Sequence, residues 1–226
     1  MDKRIHSVLR ALGKQPDFAI AKGNAEQGSM SSRWIESNGV HPGYLCVEVS
    51  YLQGSLSIKR IFRVYGNAPA IACDTYLKGV MKKVGNDVVA SNVDRKNIES
   101  VEDMATELKT PTLDRLQLSG NHWQTKAVEF FDYTDWNDNL VLERNFIPYR
   151  KNGCRGNLLF AKDQLSGNGF FFLKESPVSS TQLHYGGADF ITDFNDFMVV
   201  GTGVAASDIS KDDWTRLYGC VLGVFN

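Results

Sequence analysis

The stretch "YLCVEVSYLQGSLSIKRIFRVYGNAPAIACDTYLKGV" (residues 44–80) decides the fold class. Three runs within it, 44–52, 56–65 and 70–80, alternate apolar with polar residues or concentrate β-branched ones, and short glycine-containing turns separate them. Successive side chains of a β-strand point to opposite faces, so a period of two between turn residues indicates strands joined as hairpins. The stretch therefore predicts three successive antiparallel strands.

The same period returns further along the chain. Clusters rich in Gly, Asn and Asp separate six more segments that read as strands: "KAVEFFDY", "LVLERNF", "GNLLFAKD", "GFFFLKES", "DFMVVGTG" and "LYGCVLGVF". Helical signals occur only at 95–108, which has an apolar face at helical spacing, and at 207–214, which has room for one or two turns. About ten strands with so few helices predict a mainly β protein, a two-sheet antiparallel β-sandwich in a single domain.

The composition argues against several classes of partner. The chain has 226 residues and a formal net charge of −1, with Lys and Arg scattered along it. Nucleic-acid-binding proteins usually carry a basic patch, so we expect no nucleic-acid partner. No apolar run approaches the roughly 18 residues of a membrane span. The segment "IHSVLRAL" (5–12) is too short and too polar for a signal-peptide core. We expect a soluble chain without a membrane partner and leave its localisation open.

The sequence predicts neither a metal nor a cofactor. The cysteines form no C-x-x-C pair, and the histidines show no ligand spacing. Burial as free thiols is favoured over a single disulfide for the four cysteines, Cys46, Cys73, Cys154 and Cys220. The string "GTGVAA" (201–206) matches a dinucleotide-binding fingerprint, but a new short helix signal follows it and the sequence leaves no room for a βαβ unit.

The segment "EFFDYTDWNDNLVLERNF" (129–146) concentrates acids, amides and aromatic residues. A calcium loop that starts at Asp135 would place Leu140 where the loop requires glycine and Phe146 where it requires a bidentate glutamate, which excludes the helix–loop–helix type. Asp132 and Asp138 flank a turn, as the paired carboxylates of a glycosidase would require, or they simply satisfy that turn.

Carbohydrate binding is the remaining interpretation of these aromatic residues. An indole face stacks on the apolar face of a pyranose, while neighbouring amides and acids bind its hydroxyl groups. Two stretches combine these residue types, 121–124 and 132–139. The candidate carbohydrate-binding residues are Trp136, Asp135, Asn137, Trp123 and His122.

Four long strings resemble, in order and spacing, the N-terminal β-sandwich (supersandwich) domain of bacterial α-galactosidase-like (melibiase-type) glycoside hydrolases. They are "FRVYGNAPAIACDTYLKG" (62–79), "GNHWQTKAVEFFDYTDWNDNLVLE" (120–143), "RGNLLFAKDQLSGNGFFFLKESP" (155–177) and "DWTRLYGCVLGVF" (213–225). The resemblance covers residues 33–225. We therefore divide the chain into an N-terminal extension or first-strand region, 1–32, and a β-sandwich domain, 33–226.

The resemblance implies a galactose-mutarotase-like sandwich that precedes a (β/α)₈ barrel, and in the family the barrel carries the catalytic aspartates. This sequence has no alternating strand–helix region and lacks the roughly 250 residues of a barrel. We therefore assign no catalytic residue and expect this chain alone not to be an enzyme. The expected role is support of the barrel or of a homo-oligomer, with galactosides as carbohydrate contacts. Proteins of the family are usually exported.

Two alternatives stay open. The first is a free-standing carbohydrate-binding module in which an exposed Trp123 or Trp136 forms the sugar platform. The second is a small glycosidase that uses carboxylates around 132–138. A sandwich that has a partner module should expose an apolar patch where that partner docks.

Overall fold

The protein is an antiparallel β-sandwich, as the sequence predicts. The computed structural model describes residues 28–53, 55–80, 112–133, 138–177, 188–204 and 206–226, and in this part of the chain nearly all regular structure is β. The helix predicted over 95–108 lies outside the described residues. At 207–214 the structure has a single 3-10 turn, Ala206–Asp208, in place of an α-helix. None of the described helical segments is long and apolar enough to cross a membrane.

The larger sheet contains ten strands. Their order is β1-β2-β3-β4-β14-β10-β9-β6-β7, with β13 paired to β4, and all pairs are antiparallel. The hairpins predicted over 44–80 are confirmed as β2, β3 and β4. The strands are β1 (Gly28–Ile35), β2 (Tyr44–Gln53), β3 (Leu56–Tyr65), β4 (Ala70–Gly79), β6 (Trp123–Tyr133), β7 (Asp138–Phe146), β9 (Leu158–Asp163), β10 (Gly169–Glu175), β13 (Thr215–Arg216) and β14 (Gly219–Phe225).

The smaller sheet has four short strands in the order β5-β12-β11-β8. They are β5 (Thr112–Gln117), β8 (Asn152–Cys154), β11 (Phe190–Asp193) and β12 (Asp196–Val200). The sequence did not predict β1, β5, β8, β11 or β13. Strands β8, β11 and β13 have two to four residues, too few to show a period of two. The six residues of β5, TLDRLQ, do not alternate apolar with polar side chains, and β1 is exposed along most of its length. The predicted domain boundary after residue 32 falls inside β1 and stays a prediction.

The core lies between the two sheets and is dominated by aromatic rings. Phe170 and Phe172 of β10 point inwards from the large sheet, and Phe190 and Phe197 face them from the small one; all four are fully buried. Neighbouring rings meet edge to face, which suits their quadrupoles. Burial of each side chain contributes about 1.5–3 kcal/mol to folding.

A buried ion pair joins the sheets at one place in this core. Arg60 of β3 lies 3.0 Å from the Asp114 carboxylate of β5, and both are almost fully buried. Arg60 also donates to the Cys73 sulfur, while the Cys220 thiol donates to Asp114. Burial alone would lower the pKa of Arg60, but the Asp114 carboxylate, Cys73 and Cys220 together outweigh it, and the pKa lies above its ordinary value. Burial raises the pKa of Cys73 to about 11, so this thiol stays protonated.

A second buried pair joins the sheets at another place. The Lys174 ammonium of β10 lies 2.7 Å from a carboxylate oxygen of Asp189, which directly precedes β11, and neither side chain is exposed. The other Asp189 oxygen accepts the backbone N–H of Gly156. Burial lowers the pKa of Lys174, and the attraction of Asp189 opposes that shift. In both pairs the cation comes from the large sheet and the anion from the small-sheet side.

We predict that Asp114→Ala lowers the free energy of unfolding by about 3–5 kcal/mol, because it leaves the Arg60 guanidinium buried without its carboxylate. Urea denaturation followed by circular dichroism measures the change. Glu143→Ala, which breaks the exposed Lys126–Glu143 pair, is the control and should cost less than about 1 kcal/mol. Equal effects of the two substitutions would contradict a structural role for the buried pair.

Candidate functional site

The tryptophan-containing turn that the sequence singled out lies outside the described residues. Asp135, Trp136 and Asn137 belong to the segment between β6 and β7 that the structure does not describe. The flanking backbone is described and pairs Tyr133 with Asp138. The prediction of a strand–turn–strand corner is therefore confirmed for its strands, and the sugar-binding role of these residues stays a prediction.

Trp123 is a core residue and has no open face for a sugar. It is only 6% exposed, and its ring lies 5.7 Å from those of Phe170 and Phe197. The first strand position of β6 points inwards, so the indole completes the aromatic core. The binding-module alternative offered an exposed Trp123 or Trp136 as the platform. The structure shows Trp123 buried, and Trp136 lies outside the described residues, so the alternative stays open there. The neighbouring His122 is exposed, and its backbone carbonyl accepts the N–H of Gln164.

The residue after Trp123, Gln124, points the opposite way and reaches a concavity on the protein surface. Gln124 is exposed on the outer face of the large sheet, the face away from the core, and lines a groove of about 480 Å³. We call this concavity the outer groove. Strands β6, β7, β9 and β14 supply its lining, so it spans the part of the sheet next to the free edge at β7.

Two half-buried phenylalanines, Phe160 and Phe225, form the aromatic part of the outer groove. Their ring centroids lie 6.1 Å apart at an interplanar angle of 66°. The ring of Phe225 occupies the space above Gly169, its partner on β10, where an added Cβ would come within 2.3 Å of the ring. A side chain at Gly169 would therefore displace the ring, and glycine at this position fixes the aromatic surface.

The reciprocal arrangement beside the groove strengthens this aromatic surface. Phe171 on β10 is paired with Gly223 on β14, and an added Cβ at Gly223 would come within 2.2 Å of the Phe171 ring. The ring centroid of Phe171 is 6.0 Å from that of Phe160. A large side chain that covers a cross-strand glycine restores the packing which the glycine lacks. The sequence carries this signal as "GFF" at 169–171 and "GVF" at 223–225, and its meaning depends on the strand register.

Polar side chains surround the aromatic part of the groove. Amides come from Gln124 and Asn145, and Lys162 adds an exposed ammonium. Lys126 donates to Glu143 across β6 and β7 at 2.8 Å, and both side chains are largely exposed. The groove thus combines an aromatic surface with donors and acceptors of hydrogen bonds, the composition typical of small-molecule sites.

A second group of titratable side chains lies at the inward face of β6. Burial raises the pKa of Glu129 to about 7; the charge of Arg155 opposes the shift and that of Asp189 adds to it. One oxygen of Glu129 is buried and accepts no hydrogen bond among the described residues. A carboxyl group with such a pKa suits a general acid. Its carboxylate neighbour Asp189 is fully buried and already paired with Lys174, so this group stabilises the interior and is no site for a substrate.

Within the described residues no three His, Cys, Asp or Glu side chains are arranged to hold a metal ion. The four cysteines are buried and carry free thiols: Cys46, Cys73, Cys154 and Cys220.

Comparison with solved structures relates this fold to GH36 α-galactosidases of Geobacillus stearothermophilus. A variant of AgaA in complex with stachyose has a TM-score of 0.52 at 7% identity; the match covers 89% of this chain and 27% of that one. A variant of AgaA in complex with 1-deoxygalactonojirimycin gives 0.51 at 6%, covering 89% and 28%. AgaB gives 0.50 at 6%, covering 89% and 27%.

These matches show the fold alone, because the identities are so low. The chain spans little more than a quarter of the length of the α-galactosidases that it matches. No family model matches the sequence, and no curated protein matches it significantly.

We predict a pH-dependent contribution of Glu129 to stability. Its pKa in the folded protein, about 7, exceeds its ordinary value of 4.5, so folding favours the protonated form. The stabilisation is fully present below about pH 4.5 and is lost as the pH rises through about 7. Glu129→Gln stays neutral, so it should flatten the dependence of the urea midpoint on pH across this interval. Glu143→Gln, at an exposed carboxylate, should leave the slope unchanged; a wild-type slope in Glu129→Gln would refute the assignment.

Proposed function

We propose that this chain is a non-catalytic β-sandwich module of an α-galactosidase-like glycoside hydrolase and that it supports a separate catalytic (β/α)₈ module. The observation that carries this proposal is the match of 89% of the chain to only 27–28% of α-galactosidases. A whole enzyme would be expected to match over most of both chains. The resemblance of the sequence strings to the N-terminal domain of such enzymes agrees with this assignment.

The described carboxylates support a non-catalytic role. Acid–base hydrolysis of a glycoside needs two carboxyl groups that both reach the scissile bond. Four of the described aspartates instead bind cations of the protein. Asp114 pairs with Arg60, Asp189 with Lys174, Asp196 with Arg115, and Asp74 with both Arg63 and Arg216. Their charge is used to hold strands together.

The free edge of the large sheet supplies the surface that such a module needs. Strand β6 pairs with β9 from Trp123 to Val128, and among the described strands its far half pairs with β7 alone. Large apolar side chains, between 48% and 64% exposed, follow this hairpin and the loop after it: Phe130, Val141, Leu142, Ile147 and Tyr149. We call these five residues the edge-hairpin patch. Large apolar side chains left exposed on both faces of a hairpin favour packing against a partner that covers it, and we propose the catalytic module as the occupant.

The purified chain should not hydrolyse an aryl α-galactoside, because the catalytic pair of the family resides in the barrel. Release of the aryl group measures hydrolysis. Activity that Asp135→Asn abolishes would contradict the proposal and support the small-glycosidase alternative.

We predict that the double substitution Phe130→Ser, Leu142→Ser weakens binding to the catalytic module by at least about tenfold, since both side chains lose buried apolar area in the complex. The coding sequence that follows Asn226 would be produced as a second polypeptide, and sedimentation velocity would measure the complex. Leu165→Ser, at an exposed leucine outside the patch, is the control.

Two outcomes would contradict this docking surface. One is the absence of an in-frame (β/α)₈ sequence after Asn226. The other is self-association of this chain that the double substitution removes, which would make a second copy the occupant of the edge-hairpin patch.

A further inference from the structure

We infer that the outer groove is a saccharide-binding site that takes a pyranose ring of a neutral oligosaccharide against Phe225. The residues that the sequence predicted for sugar binding do not form this groove. Its main parts are a phenylalanine surface, two amides, the Lys126–Glu143 ion pair and the exposed ammonium of Lys162, and each part matches one requirement of a sugar.

The aromatic surface fits the apolar face of a pyranose. A sugar ring presents C–H groups on one face, and aromatic side chains in binding sites stack on that face. Phe225 is suited to this role because Gly169 lets its ring lie close to the sheet, where it is half-buried and immobilised. Phe160 stands beside it at 66° and provides a wall. A ring held in advance loses little conformational freedom when a ligand binds.

The polar side chains fit the hydroxyl groups. An amide side chain both donates and accepts hydrogen bonds, as a sugar hydroxyl does, so each amide can satisfy a hydroxyl in either direction. Gln124 and Asn145 provide these groups from β6 and β7. Alternation along β6 places Gln124 and Lys126 on the same face, and Lys126 is the register partner of Asn145. The polar groups therefore lie along one side of the groove.

The Lys126–Glu143 ion pair suits a neutral ligand. Lys126 and Glu143 bond to each other at 2.8 Å, so the centre of the polar side carries no net charge. At this pair an anionic ligand would have to compete with Glu143 for Lys126, and a cationic ligand would be repelled by Lys126. Lys162 adds one positive charge to the lining, and its ammonium can donate a hydrogen bond to a sugar hydroxyl. A neutral hydroxyl can bond to either member and leave the pair intact. The volume of about 480 Å³ lies in the usual range for small-ligand sites, roughly 300–1,000 Å³.

The inference goes beyond the proposed function and does not depend on it. The edge-hairpin patch occupies the far half of the β6–β7 hairpin, whereas the groove lies along the near half, where β6 pairs with β9. Sugar binding to the isolated chain therefore succeeds or fails separately from docking of a catalytic module.

Titration of the ¹⁵N-labelled chain with stachyose, followed by NMR chemical shifts, tests the inference. We expect the amide signals of Gln124, Lys126, Phe160 and Phe225 to move together. Phe225→Ala should lower the affinity about tenfold, which corresponds to the loss of one aromatic contact. Tyr149→Ala removes an exposed aromatic ring outside the groove and should leave the affinity unchanged. Circular dichroism would verify that both variants are folded.

Three further measurements distinguish a neutral saccharide from the other ligands that the groove could bind. A galacturonate oligosaccharide should bind more weakly than stachyose, and salt should change stachyose binding little because the ligand is neutral. Stronger binding of galacturonate would overturn the assignment of a neutral ligand. The absence of shifts up to the solubility limit of stachyose, or shifts confined to residues outside the groove, would overturn the site itself. Movement of the groove amides on addition of the catalytic module, with none on addition of sugar, would make it a docking surface.

Discussion

Two buried ion pairs set the constraint on which the rest of this sandwich depends. Apolar side chains attract one another without a required geometry, so an aromatic core alone tolerates small shifts between the sheets. A buried charge does not tolerate such shifts, because a charge that loses its partner is left in a medium of low dielectric. Arg60 must face Asp114 and Lys174 must face Asp189 at the same time. Two such requirements at different strands fix the position of one sheet on the other.

The side chains that the core requires also determine which side chains lie on the outer face of the large sheet. Side chains alternate along a strand, so each residue that the core requires places its neighbour outside. With Phe170 and Phe172 in the core, Phe171 must lie on the outer face. With Trp123 in the core, Gln124 must point into the groove. A one-residue register change of β6 that exposed Trp123 would turn Gln124 towards the core.

The sequence was sufficient for the fold class and for the long strands but not for the site. A period of two is visible in the long strands, whereas β8 and β13 have three and two residues and pair only because the chain brings them to a partner. The burial of Trp123, which the sequence offered as an exposed platform, has a different cause. Tryptophan serves equally well in a core and as a sugar platform, and only the opposite sheet, with Phe197, decides between them. The outer groove is harder still to predict from the sequence, because it depends on pairing between strands that are distant in the chain.

The β6–β7 hairpin links the two surfaces that we propose. Its near half is held in the sheet by β9 and carries Gln124 and Lys126 into the groove. Its far half is a two-stranded ribbon with apolar side chains on both faces, Phe130 and Val141 on one and Leu142 on the other. A ribbon of this kind has little stability without further packing. A catalytic module that covers the far half would therefore stabilise strands that continue directly into the groove, so docking and sugar binding would act on the same two strands.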